Sequence, residues 1–154
     1  MHTIDKIFSL VPGYSDYIRR KEIKLADQKL RLYCAKKISE KIKSIRKSLK
    51  LIYGVNFSKE FTAALALLSS IDTKSEMLKS VVSGGGTFFA PNLISDNDLN
   101  AVLKHDKKFI ELIDEFDQIT HEHIEDISKL ENTLSNFDIR LENKIKSRKL
   151  FFEN

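Results

Sequence analysis

Apolar residues return every seven positions between Leu99 and Leu141, in two registers offset by three. One register reads Leu99, Asp106, Ile113, Thr120, Ile127, Leu134 and Leu141; the other reads Val102, Phe109, Phe116, His123, Leu130 and Phe137. Two such registers lay one stripe along a helix, as in a coiled coil or a long bundle. The spacing predicts a helix from Asp96 to Lys149, opened by Ser95 with Asp98 as an acidic capping box. A second stripe, Ile38, Ile42, Ile45, Leu49 and Ile52, predicts a helix over Ser15 to Tyr53. Its first half is less regular, with Ile18, Leu25, Leu32 and Ala35 expected to face inward. Gly54 is placed to stop this helix, and Asn56 or Ser58 to cap the next. That next helix, Lys59 to Val82, carries Phe61, Ala64, Leu68, Ile71, Ser75, Leu78 and Val82 on one side. The head, Ile4 to Leu10, reads as a short helix capped by Thr3 and stopped by Pro12-Gly13. At about two turns it cannot stand alone, and it is expected to lie across one end of the others.

The elements predict an all-α fold, an elongated antiparallel three-helix bundle or coiled coil with a short N-terminal lid helix. A single domain, 1–154, then comprises a lid helix and turn (1–13), a basic helix (14–54), a middle helix (57–83), a Gly/Phe loop (84–94) and a long acidic helix (95–150). The last helix would reach about 75 Å and the middle one only about 35–40 Å. An apolar stripe left without a cover predicts self-association through the C-terminal helix, giving a homo-oligomer.

Composition narrows the class further. The 154 residues are enough to bury a core, and five Gly and two Pro leave room for few turns. No apolar run reaches the roughly 18 residues of a membrane span, and the first residues lack the pattern of a signal peptide. Cys34 is the only cysteine. It excludes an internal disulfide and suits a reducing interior, so a cytoplasmic location is expected.

Charge is unevenly spread. Residues 18–50 hold thirteen Lys/Arg against three Asp/Glu, whereas residues 95–142 hold five against thirteen. The basic face, Arg19, Arg20, Lys24, Lys36, Lys37, Lys43, Arg46 and Lys47, could complement the acidic helix beside it or bind an external polyanion. An acidic helix of suitable length is present in the same chain, so pairing within the bundle is the first expectation. The second is an anionic membrane or nucleic acid, although zinc-finger spacing and interleaved exposed aromatics are missing.

Two stretches carry a likeness to other sequences. The first is Val11-Pro-Gly-Tyr14 followed by Arg19-Arg20, Asp27 and Leu30-Arg31; the second is the Gly84–Phe89 loop with Asp106 in the helix after it. Both resemble a family of uncharacterised helical prokaryotic proteins. There a proline-glycine-tyrosine turn opens a charged helix, and a Gly- and Tyr-rich loop ending in two aromatics precedes a helix carrying an Asp. This chain departs from that pattern at Ser83 and Gly85, where the family has tyrosines. The resemblance implies a helical architecture and singles out the loop; it implies no reaction.

Candidate chemistry is sparse. Gly84, Gly85 and Gly86 are followed by Thr87-Phe88 rather than the lysine of a phosphate loop, which argues against a nucleoside triphosphate site. Phe88 and Phe89 would either plug the bundle end beside Tyr14 and Tyr17 or face outward to engage a partner. Asp106, Thr120 and His123 are the polar members of the seam, where such residues fix helix register. Asp106, if buried, must meet an Arg or Lys, expected from the first long helix. His121 and His123 point to opposite sides of a helix and make no metal site. Cys34 has no histidine near it in sequence. No catalytic residue, cofactor or metal is therefore assigned. The expected function is a non-enzymatic cytoplasmic scaffold or adaptor. Its bundle end and Gly/Phe loop would engage a protein partner. The alternative is peripheral membrane or nucleic-acid binding through the basic face.

Overall fold

A computed structural model describes residues 10–12, 23–55, 58–80 and 95–152. The helices are α1 (Ile23–Tyr53), α2 (Lys59–Lys79), α3 (Asp96–Asp117), the single-turn α4 (His121–Ile124) and α5 (Ile127–Phe152). Among the described residues the regular secondary structure is all helix, with no strand. Arg19, Arg20 and Gly84–Phe89 lie outside them, as do residues 4–9 of the predicted lid helix and the side chain of Lys24.

The predicted helix boundaries are met at three places. Gly54 ends α1 with a φ of 59°, its N–H donating to the Lys50 carbonyl at 3.0 Å. A Cβ at Gly54 would meet nothing within 4 Å, so backbone conformation alone favours glycine there. Ser58 caps α2 by accepting from the Phe61 N–H at 3.2 Å, and Ser95 caps α3 by accepting from the Asp98 N–H at 3.1 Å.

The long acidic helix predicted over 95–150 is broken. Chain direction reverses between Asp117 and Ile127, and α5 runs back along α3. The break falls where both seam registers turn polar. Thr120 takes an extended N-cap conformation, and its N–H donates to His123 Nδ1 at 2.9 Å. Asp126 caps α5, accepting from the Lys129 N–H at 3.1 Å. Ile119 and Ile124 turn inward and replace the two polar seam positions in the core. Thr120 and His123 are exposed, so they set the reversal instead of lying in a seam.

Among the described residues there are four long helices, where the heptad pattern predicts three. Helix α1 packs against α2 and α3, and α5 packs against the same two, so α1 stands opposite α5 and α2 opposite α3. Helix lengths now agree at about 30–45 Å. The apolar stripe of α3 and α5 is covered within one chain: Leu99, Val102, Phe109, Ile113, Phe116, Leu130, Leu134, Phe137 and Leu141 are all buried. The length mismatch that predicts a second copy has gone. Phe116 and Phe137 stack across the pair, ring centroids 4.1 Å apart and planes 11° from parallel.

In α1 the predicted positions Ile38, Ile42, Ile45 and Leu49 are buried, as is Ala35, while Ile52 is half-buried at the edge of the core; all six described positions of the α2 stripe are buried. Leu32 departs from the expectation, being 42% exposed while Leu30 takes the inward position; Ile18 and the side chain of Leu25 lie outside the described residues. The inward residues Asp27, Arg31, Cys34, Ala35 and Ile38 follow one helical stripe, and Leu32 falls off it. Val11, from the head of the chain, is also buried in the core.

Tyr53 fastens the far end. Its hydroxyl donates to the carbonyls of Ile124 and Glu125, each at 2.7 Å, and its ring meets Phe61 edge-on. Burial raises the phenol pKa, with Asp126 and Glu125 adding to the shift. The folded chain thus keeps a proton that the unfolded chain loses near its ordinary value of 10. This contribution is complete below that pH and is lost as pH rises through the folded value. Tyr53→Phe is expected to cost about 0.5–1.5 kcal/mol at neutral pH. The gap between the two proteins should narrow in urea melts above pH 10. A constant gap would mean that the hydroxyl does not hold the turn.

Candidate functional site

Four charged side chains meet inside the bundle at the end opposite Tyr53. Asp27 and Arg31 are one turn apart on α1, and Arg31 Nε donates to Asp27 Oδ2 at 3.0 Å. Arg148, near the end of α5, donates through Nη2 to Asp27 Oδ1 at 2.5 Å and through Nη1 to Asp106 Oδ1 on α3. The other end of Arg31 reaches the C-terminus of α2, its Nη1 donating to the carbonyls of Leu78, at 2.7 Å, and Ser80. One ionic chain therefore touches all four long helices. Asp106 is 0% exposed, and the other three are buried as well. His105 lies beside them, Nδ1 at 3.3 Å from Asp106 Oδ1, with its ring edge-on to Phe109.

The residue identities explain how this arrangement can be buried. A guanidinium offers five donors in a fixed fork, so one Arg can serve two carboxylates. The carbonyls taken by Arg31 belong to Leu78 in the last turn of α2 and to Ser80, its C-cap, where carbonyls lack a partner within the helix. Two arginines and two aspartates balance one another in charge, which burial requires.

Arginine does not exchange protons near neutral pH, and both carboxylates accept from guanidinium groups. Cys34 is buried, and burial pushes its thiol pKa up, a shift that Arg148 opposes and Asp106 and Asp114 reinforce. A thiol held protonated is a poor nucleophile. Among the described residues no group of three or more His, Cys, Asp or Glu is placed to hold a metal ion. A cleft of about 180 Å³ lies between α3 and α5, with the Phe116–Phe137 stack along it and the Arg140–Glu115 ion pair beside it. It is below the usual range for small-molecule sites, about 300–1,000 Å³.

Asp106 was expected to pair with the first long helix. Its arginine comes instead from α5, and that arginine carries the link on to Asp27 of α1. Sequence reasoning missed Arg148. A signal was present, because Arg148 is the next heptad position after Leu141, in the register that also holds Asp106. Two opposite charges in one apolar register come together once the helix doubles back.

The basic face is arranged differently from the internal pairing expected of it. Lys36, Lys43, Arg46 and Lys47 are exposed and Lys37 is half-buried. Arg46 Nη2 lies 3.5 Å from Ser69 Oγ. None of the four lysines forms an ion pair among the described residues. The acidic groups of α3 and α5 take partners elsewhere, Glu115 with Arg140 and Asp138 with Lys74 at 2.6 Å. Apolar edges seat α1 against α2 and α3, which turns its lysines outward. Lys50, exposed on α1, extends the basic area beyond the predicted residues; Lys79 shares a surface groove with Lys36 and Lys43 but is paired with Glu76 at 2.8 Å.

No family model matches the chain, and no curated protein or solved structure shows significant similarity to it.

Proposed function

We propose that this chain is a non-enzymatic interaction module that engages a polyanionic surface through the lysine face of α1. One observation carries the proposal. Lys36, Lys43, Lys47 and Lys50 are exposed along α1 and stand outside every ion pair among the described residues. Positions 36, 43, 47 and 50 recur at spacings of seven, four and three, which puts all four ammonium groups on one side of the helix. A clustered positive stripe attracts polyanions with a strength that salt screens. Buried charges elsewhere compensate each other, so they leave this field intact. A cytoplasmic location goes with the proposal. Among the described residues no helix is long and apolar enough to cross a membrane.

A protein partner at the Gly84–Phe89 loop is the second reading, and one contact favours it. Arg31 holds the Leu78 and Ser80 carbonyls, fixing the point from which the 81–94 segment departs. Asp27, Arg31 and Asp106, three residues on which the family resemblance rests, belong to the same ionic chain. Their meeting supports treating the two resembling stretches as one unit.

Retention on immobilised heparin tests the first reading. The triple variant Lys36→Glu, Lys43→Glu, Lys47→Glu should elute at much lower salt than the native protein. Reversing Lys59, Lys104 and Lys129, equally exposed on other helices, changes net charge by the same amount. It should shift elution far less. Equal shifts for the two triples would sink the proposal, because net charge alone would then account for retention.

A further inference from the structure

We infer that the polyanion is the surface of an anionic lipid bilayer, on which α1 lies with Leu51 lodged among the headgroups. The inference rests on the polyanion-binding reading and names its target. Leu51 is 73% exposed and follows Lys47 by one helical turn, so it stands on the lysine face itself. Leu32, one turn before Lys36, is 42% exposed at the other end of the stripe. Val55, just beyond the end of α1, is 83% exposed. The basic stripe is thus bracketed by aliphatic side chains that the fold leaves in water.

That combination separates two polyanions. A phosphate backbone takes lysine but gives an exposed leucine nothing to pack against. A bilayer surface takes both: ammonium groups meet headgroup phosphates and carboxylates, while aliphatic tips enter the interfacial layer. Lysine stems suit the boundary, since their methylenes lie along apolar surface while the charged end stays in the polar layer. From Leu32 to Leu51 the face spans about 28 Å along a continuous helix, enough to meet several headgroups at once. The groove lined by Leu32, Lys36, Ser39, Glu40, Lys43 and Lys79, about 400 Å³ and open to solvent, places Leu32 beside the Lys36 and Lys43 ammonium groups, with the Glu40 carboxylate between them and Lys79 paired with Glu76 at 2.8 Å.

Co-sedimentation of the full chain with vesicles tests this. Vesicles of phosphatidylcholine alone and of phosphatidylcholine with phosphatidylserine are compared, with duplex DNA as a third arm. Binding is expected only to the serine-containing vesicles and should fall steeply with salt. Each lysine removed at the surface is expected to weaken it about fivefold, so Lys43→Gln, Lys47→Gln, Lys50→Gln together weaken it about hundredfold. Leu51→Ser should lower vesicle affinity severalfold and leave its salt dependence unchanged. Leu150→Ser, on α5 and 70% exposed, should change neither. These positions are at the surface, and a thermal melt of each variant checks that the fold persists. Binding to DNA with none to vesicles would overturn the bilayer inference and keep the polyanion reading. Binding to neither would overturn both. Vesicle binding that ignores Leu51→Ser would refute the seating of α1 proposed here.

Discussion

Arg148→Met is expected to lower the free energy of unfolding by about 3–5 kcal/mol, measured by urea denaturation followed by circular dichroism. Methionine keeps much of the volume and removes the guanidinium that Asp27 and Asp106 share. Both carboxylates remain at 1% exposure or less, and a buried carboxylate deprived of its counter-charge is costly. Arg31 still serves Asp27, so most of the loss falls on the link between α3 and α1. Apolar replacement of the pair, as in Asp106→Leu with Arg148→Met, should recover part of it, because two solvated ions no longer have to be buried. A loss below about 1 kcal/mol for the single variant would show that the ionic chain does not tie these helices.

Phe116→Ala carries the second large effect, about 3–5 kcal/mol from lost burial and the cavity left behind. Phe116 is 2% exposed and stacks on Phe137. In one continuous helix those rings would lie about 31 Å apart and could not interact. Phe116→Ala and Phe137→Ala should therefore be coupled, by about 0.5–1.5 kcal/mol in a double-mutant cycle. Strict additivity would count against the doubled-back α3–α5 pair.

Most of the helical core was legible because burial follows period. Ile38, Ile42, Ile45 and Leu49, and the whole described stripe of α2, face inward as their spacing predicts. The reversal after Asp117 was not read, for a physical reason. Thr120 and His123 remain in phase with the heptad, and a periodicity argument counts positions without asking what each residue does at a helix end. Read for end chemistry, threonine followed three residues later by a side chain able to accept its N–H is a start signal, with Asp126 a second one. The ionic chain was half legible. Asp27, Arg31 and Asp106 stood out in sequence, but Arg148 joins them only after α5 turns back. The outward lysines follow from packing, since only the seating of α1 on α2 and α3 decides whether a basic face meets the acidic helix.

The hydrogen bond from Arg148 to Asp27 joins residues 121 positions apart. Closing so long a loop is entropically expensive, whereas α1 with α2, and α3 with α5, each form from neighbouring stretches of chain. Two helical hairpins can thus assemble early and dock late, the buried arginine engaging only as they meet. On that order of events Arg148→Met speeds unfolding and leaves the rate of folding almost unchanged. The arginine acts as a bolt on the finished structure, governing how long the native state lasts rather than how quickly it is reached.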